Sequence, residues 1–278
     1  MSEPETATAA PPAPASARSR PWATAGEANP ARFYDLLLGG KDNYAADRDL
    51  ADLLLRVQPH ARTAARENRA FVGRAVRALA EHGVAQFVDI GCGLPTGENV
   101  HQIAQRHVPG ARVVYVDHDP IVLSHARALL ADDGNVSVVR ADLRDHDGLL
   151  EAVTVAAPLD WTRPVGVLLT SVLHHLAAAD RPHELAAGLR RAMPPGSALA
   201  VSHLTADPAP AAVAEAASLY AAGCGTPLVP RGRAEVAAFL DGLELLGPGV
   251  VFTSEWRPVG PVRPPDQALM YAAVGLRG

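Results

Sequence analysis

Two cysteines, a single lysine, no basic excess and no long apolar run are the shortages of this 278-residue chain. Cys92 and Cys224 are too few and too far apart for a disulfide framework or a four-ligand zinc site. No apolar run reaches the roughly 20 residues of a membrane-spanning helix, so no membrane partner is expected. A net charge of −5 gives no electrostatic footprint for nucleic acid, because duplex binders present a basic face. Lys41 is the sole lysine and every other basic side chain is arginine, a bias without evident functional content. What is present, 48% hydrophobic and 20% charged residues, can bury a full core as one large cytoplasmic domain with accessories.

Residues 1–25 are rich in Ala, Pro, Ser and Thr, with Trp22 as a lone large apolar side chain, a composition that predicts a disordered tail. They lack the basic start and continuous apolar core of a secretory signal. Residues 26–80 read as a helical cover ahead of the first sheet strand. Asn29 followed by Pro30 predicts an N-cap and a first-turn proline. Gly39 and Gly40 then interrupt a helical apolar pattern and precede Lys41, Asp42 and Asn43, so a helix ends in a polar turn. An ordinary helix–turn–helix hairpin satisfies that pattern. The polar cluster of Tyr34, Asp35, Lys41, Asp42 and Asn43 exceeds what a turn requires, however, and suggests a lid hinged at the glycines.

The stretch Gln86-Phe-Val-Asp-Ile-Gly-Cys-Gly93 is an apolar strand that ends in an acid and opens into a glycine loop. Two further acids close the next strands: Asp117 after Arg112-Val-Val-Tyr-Val, and Asp142 after Asn135-Val-Ser-Val-Val-Arg-Ala. A dinucleotide presents a pyrophosphate, held by a helix N-terminus and by glycines spaced G-x-G-x-x-G. Here Thr96 stands at the third glycine position, Gly97 is one residue late, and Asp89 would repel a pyrophosphate. S-adenosylmethionine carries an ammonium and a sulfonium instead, which a carboxylate at that turn favours. Gly91 and Gly93 keep the backbone clear of Cβ atoms where the methionine part lies against it. Asp117, 24 residues past Gly93, is placed to accept from both ribose hydroxyls, and Asp142 to reach the adenine amino group. All three acids fall on the carboxyl edge of a parallel sheet, where open α/β folds bind ligands.

Strands at 86–91, 112–117, 136–141, 165–171 and 197–203 alternate with helices near 97–107, 120–131, 146–155 and 180–193. Such alternation specifies a parallel sheet with helices on both faces. Helices near 208–222 and 231–240 follow. Two late strands, 243–252 and 267–274, have no helix-length insert between them and should pair as an antiparallel hairpin.

Residues 86–276 resemble the class I S-adenosylmethionine-dependent methyltransferase fold, an α/β Rossmann-like architecture whose seven-stranded, mostly parallel sheet ends in a reversed strand; the domain would occupy 81–278. More specifically, Arg32-Phe-Tyr-Asp-Leu-Leu-Leu-Gly-Gly-Lys-Asp-Asn-Tyr44, Glu67-Asn-Arg-Ala-Phe71, Asp89-Ile-Gly-Cys-Gly-Leu-Pro-Thr96 and Val116-Asp-His-Asp-Pro120 are similar to a bacterial family known simply as the S-adenosyl methyltransferases. The similarity runs from about Asn29 to the C-terminus. It implies that Asp89, Gly91 and Gly93 hold the methionine end, Asp117 the ribose, and Asp142 with Leu143 the adenine, along whose ring His118 would lie. Ser171, at the end of the fourth strand, is counted with these cofactor residues. The resemblance speaks to fold and cofactor and leaves the methyl acceptor open.

Leu169-Thr-Ser-Val-Leu-His-His-Leu176 lies where the transferred methyl group should emerge, so His174 and His175 are the first candidates for substrate contact. A histidine there can take the proton from an oxygen or nitrogen nucleophile, and His174 is the catalytic candidate. Alternatively one ring packs beneath the sheet edge while the other caps a turn, and catalysis proceeds by alignment alone. His203 is a weaker candidate on the same edge. A metal site is not expected, since adjacent histidines diverge and no H-x-x-x-H spacing appears. Tyr34, Asn43, Arg69 and His175 complete the candidate substrate and lid residues; Arg69 could face a substrate carboxylate or the cofactor, or be an ordinary exposed arginine on an amphipathic helix. Methyl transfer to a small molecule is the leading reading. A non-catalytic S-adenosylmethionine sensor and a nicotinamide-dependent oxidoreductase are the alternatives.

Overall fold

The computed structural model describes residues 26–130 and 133–278, so the tail expected over 1–25 lies outside the described residues. Among the described residues three helices precede the sheet: α1 (Pro30–Leu38), α2 (Ala45–Val57) and α3 (Ala61–Glu81). Asn29 caps α1 as its sequence predicts, its Oδ1 accepting from the Ala31 and Arg32 amides at 2.9 and 3.1 Å, and Pro30 occupies the first turn. Gly39 closes α1 in the left-handed region (φ 91°), a conformation glycine adopts without a Cβ clash.

Five strands form the parallel part of the sheet: β1 (Gln86–Ile90), β2 (Arg112–Asp117), β3 (Val136–Arg140), β4 (Gly166–Thr170) and β5 (Ala198–Leu204). They are connected through α4 (Val100–His107), α5 (Pro120–Leu130), α6 (His146–Glu151) and α7 (Pro182–Ala192), with α8 (Pro210–Cys224) and α9 (Arg233–Ala238) following β5. The spatial order is β3-β2-β1-β4-β5, then the C-terminal β8 (Met270–Leu276) antiparallel to β5 along seven residue pairs.

The late strand expected over 243–252 divides into β6 (Glu244–Leu245) and β7 (Val251–Phe252), both antiparallel to β8. The break falls at Leu246–Val250, where Gly247-Pro248-Gly249 cannot continue a ladder. Among the described residues eight strand segments thus stand where seven were expected, and β8 lies between β5 and its hairpin partners. A four-residue helix, α10 (Pro265–Ala268), replaces the start of the predicted 267–274 strand. The helix predicted from 97 begins only at Val100, and α6 widens into a π-type turn over residues 152–156.

Apolar side chains cover both faces of the sheet. One face packs Val88, Ile90, Val114, Val116 and Leu169 against Leu149 of α6 and Leu185 and Leu189 of α7. The other packs Phe87, Val113 and Leu168 against Phe71, Val72 and Leu79 of α3 and Ile103 of α4. Each fully buried Leu, Val or Phe contributes about 1.5–3 kcal/mol, so the alternating pattern of β1 and β2 fixes which face each strand residue takes. A separate cluster, with Phe33, Leu37, Leu50, Leu54, Ala216 and Tyr220 among its members, seats α1 and α2 on α8. Among the described residues no helix is long and apolar enough to cross a membrane.

Candidate active site

On β1, Val88 and Ile90 enter one core, and strand alternation turns Phe87 and Asp89 toward α3. Asp89 is 4% exposed, and burial, reinforced by the neighbouring Asp117 charge, pushes its carboxyl up to about 6, while Arg69 opposes the shift. The chain then turns through Gly91 (φ 72°) and Gly93 (φ 65°). Amides of Gly91 and Cys92 donate to the Val116 carbonyl at 2.8 and 3.2 Å, and the Gly93 amide donates to Asp117 Oδ2 at 3.1 Å. The glycine loop is thereby stitched to the end of β2.

The two glycines are needed for different reasons. A Cβ on Gly91 would lie 2.4 Å from Val172 Cγ2, whereas one on Gly93 would meet nothing within 4 Å. Gly91→Ala should therefore cost about 2–4 kcal/mol from left-handed strain plus overpacking, and Gly93→Ala only about 1–2 kcal/mol from the strain. Urea unfolding of the two variants checks this; equal losses would contradict the packing argument. The open space beside Gly93 is a cradle that a ligand can occupy.

Asp117 is 8% exposed, and its Oδ1 accepts from the His118 and Asp119 amides at 2.8 and 3.0 Å. His118 Nδ1 lies 3.4 Å from the same oxygen, and this hydrogen bond raises the imidazole above its ordinary value. Asp142 stands two residues past β3 and is already engaged by Arg144, whose Nε and Nη2 donate at 3.0 and 2.9 Å. Partial burial raises the Asp142 carboxyl, but the hydrogen bonds and charge of Arg144 outweigh it and leave the group below its usual range. An adenine amino group at this edge would share Asp142 with Arg144. Leu143 packs against the core beside it.

The helical cover is tied to this edge. Asn29 Nδ2 donates to Asp119 Oδ2 at 2.7 Å, across 90 residues of sequence. Asp47, fully buried, accepts from the Asn29 amide, the Tyr44 amide and Arg32 Nε at 2.8, 2.8 and 2.7 Å. Tyr34 Oη donates to the Ala65 carbonyl at 3.2 Å and accepts from Asn68 Nδ2 at 2.8 Å. Asn68 Oδ1 in turn accepts from Ser202 Oγ, which accepts from the Ser171 amide at 3.0 Å. This chain of bonds runs from α1 to Ser171, a non-glycine residue held at φ 58° at the end of β4. Asn43 serves the polar turn, donating to the Gly40 carbonyl at 3.1 Å and accepting from Arg48. Gly40 is fixed by packing, since a Cβ there would overlap the Asp35 carboxylate.

A family model described as S-adenosyl methyltransferase matches residues 17–278. The chain belongs to the S-adenosyl methyltransferase family. The crystal structure of a candidate methyltransferase from Thermobifida fusca YX shares 40% identity at a TM-score of 0.85, covering 91% of this chain and 96% of that one. A DUF574 family protein from Streptomyces avermitilis MA-4680 shares 40% identity at a TM-score of 0.86, with 91% and 98% covered. No curated protein matches the chain. The activity is S-adenosylmethionine-dependent methyl transfer, and the oxidoreductase and sensor alternatives give way to it.

In this methyltransferase the two adjacent histidines are held differently. His174 is 4% exposed, and its Nδ1 accepts from the Leu204 amide at 3.2 Å. An amide can only donate, so the neutral ring carries its proton on Nε2 and has no open acceptor nitrogen. Burial, with help from His175, His203 and Arg231, holds it well below the usual histidine range. His175 shows the opposite tautomer: Nδ1 donates to the Pro227 carbonyl at 3.2 Å, which leaves the Nε2 lone pair available. Its ring stacks on Tyr220 at 5.6 Å, and burial pushes it down to about 4. This arrangement speaks against His174 as the proton acceptor expected from the sequence and assigns it to packing.

Arg231 was not evident from the sequence. Its guanidinium, 6% exposed as a residue, donates to the Leu173 and Leu176 carbonyls at 3.0 and 2.9 Å and to His203 Nε2 at 2.9 Å. It clamps the segment that carries both candidate histidines. One arginine among many carries no local signal for such a role. Asp119, by contrast, lies inside the Val116–Pro120 motif, so its part in the site was within reach of the sequence.

Proposed function

We propose that this enzyme transfers a methyl group from S-adenosylmethionine to a small-molecule acceptor in the cytoplasm. The observation that supports it most is the presence of Asp89 and Asp117 near the carboxyl ends of two adjacent strands, with the glycine loop after β1 bonded to Asp117 and open space beside Gly93. In this reading Asp89 takes the ammonium, Asp117 the ribose hydroxyls, His118 lies along the adenine, and Asp142 and Leu143 border it. Ser171 shapes the strand end beneath the reacting carbon. When bound, S-adenosylmethionine supplies an electrophilic methyl group on a positively charged sulfur.

The acceptor would sit between the 26–80 cover, acting as a lid, and the segment around His175, with Tyr34 and Asn43 on the cover side. Alignment supplies most of the rate, because a methyl group is transferred in line and needs no covalent enzyme intermediate. Where the acceptor loses a proton, the available Nε2 makes His175 rather than His174 the group that receives it. A net charge of −5 and the closed-over edge favour a small molecule over nucleic acid.

Calorimetric titration with S-adenosylmethionine, S-adenosylhomocysteine and NADH tests the cofactor site, followed by an acceptor screen with methyl-labelled cofactor. Micromolar binding of the first two is expected; binding of NADH alone would overturn the reading.

The Asp89 carboxyl also sets a pH dependence. An incoming ammonium favours the carboxylate, so binding lowers a group that stands at about 6 beforehand and must expel its proton in acid. Affinity for S-adenosylmethionine should hold above neutral pH and fall by up to about tenfold per unit below roughly pH 6. Asp89→Asn should flatten that profile. A wild-type affinity unchanged between neutral pH and pH 5 would show that Asp89 does not face the ammonium.

A further inference from the structure

The amino-acid end of S-adenosylmethionine is a zwitterion, and Asp89 answers only its ammonium. The small cavity beside Asp89 is walled by Arg69, Gly93, Leu94, Asn99 and Tyr115 among others. Arg69 comes from α3, the helix toward which Asp89 turns. Its Nη2 donates to the Glu98 carbonyl at 2.5 Å, which anchors the arm at the end of the glycine loop. Among the described residues Nε and Nη1 are not spent on any hydrogen bond, and no carboxylate lies within ion-pair distance of this guanidinium. Its charge nevertheless reaches Asp89, Tyr34 and Tyr115. A half-buried cation and a buried anion thus face one cavity without neutralising each other. That is the pattern a bound zwitterion satisfies, since each end of the ligand meets its opposite charge.

We propose that Arg69 binds the α-carboxylate of S-adenosylmethionine, a role that rests on Asp89 and Asp117 marking the cofactor edge. The guanidinium fork matches a carboxylate in two parallel hydrogen bonds, and the second hydrogen of Nη2 forms such a fork with either Nε or Nη1. Arg69 thereby sets the preference for the intact amino-acid cofactor over relatives that lack the carboxylate. It is a cofactor residue and leaves recognition of the methyl acceptor to other groups.

The test compares S-adenosylmethionine with its decarboxylated analogue, which keeps the sulfonium and ammonium, by calorimetry near neutral pH on the full chain. Wild type should bind the intact cofactor more tightly by roughly 10–100-fold, the worth of a charge-assisted pair. In Arg69→Gln that preference should collapse, with affinity for the analogue held within about threefold of wild type. Arg69→Lys, which keeps the charge and loses the fork, should retain part of the preference and serves if the glutamine variant does not fold. A variant that weakens both ligands equally, or that still discriminates as wild type does, overturns the assignment. Wild type that binds neither ligand, or Asp117→Ala that binds as wild type, instead overturns the cofactor edge itself.

Discussion

Asp47→Ala will destabilise the protein by about 3–5 kcal/mol, because it leaves a buried guanidinium without its anion. Arg32 and Asp47 are 2% and 0% exposed and meet at 2.7 Å. Without Asp47, Arg32 keeps only the Glu27 carbonyl, at 2.6 Å from Nη2, and the face of Tyr44 at 4.5 Å. Its Nη1 already has no hydrogen-bond partner among the described residues. The Asn29 and Tyr44 amides lose their acceptor at the same time. The measurement is the urea unfolding midpoint of the variant, and a loss below about 1 kcal/mol would show that the pair is solvated in a way its burial denies. Replacing both members with apolar residues, Arg32→Met with Asp47→Leu, should recover much of the loss, since the cost lies in the orphaned charge more than in the missing attraction. Asn29 also holds Asp119, so the single variant should loosen the cofactor loop as well, read as a weaker affinity for S-adenosylmethionine.

Asp117→Ala is the variant expected to abolish measurable cofactor binding. Two hydrogen bonds from ribose hydroxyls to a carboxylate are worth roughly 3–6 kcal/mol together, which at its lower bound is more than 100-fold in affinity. The same carboxylate accepts the Gly93, His118 and Asp119 amides, so its removal also releases the glycine loop from β2. Asp117→Asn keeps one acceptor oxygen and should lie between wild type and alanine. An independent readout is the His118 titration followed by proton NMR: its hydrogen bond to Asp117 raises it, so in Asp117→Ala it should move down. Affinity within about fivefold of wild type would remove Asp117 from the site.

The parallel sheet was readable because its strands are short, largely apolar runs, the first two closed by Gly91 and Asp117, and because helix-length segments lie between. Asp89 and Asp117 declared themselves through the strands that end in them. The 243–252 strand was misjudged where Gly247-Pro248-Gly249 breaks a run whose flanks are apolar; the proline was visible, but its effect depends on β8 pairing both flanks. The Asn29–Asp119 bond and the Arg231 clamp were illegible, because each joins residues that only the completed fold brings together. The adjacent histidines were identified as a pair, yet sequence carries no record of which ring nitrogen is taken. That is decided by an amide at Leu204 and a carbonyl at Pro227.

The place of β8 has a consequence during synthesis. Met270–Leu276 is the strand that covers β5, so Ala198–Leu204 stays an open edge from the moment it emerges until residue 276 has been made. The 72 residues from Thr205 through Leu276 take roughly 4–14 s at about 5–20 residues per second. Through that interval β5 has β4 on one side and no strand on the other. A chain stopped before Met270 therefore yields a sticky sheet fragment in place of a smaller binding module.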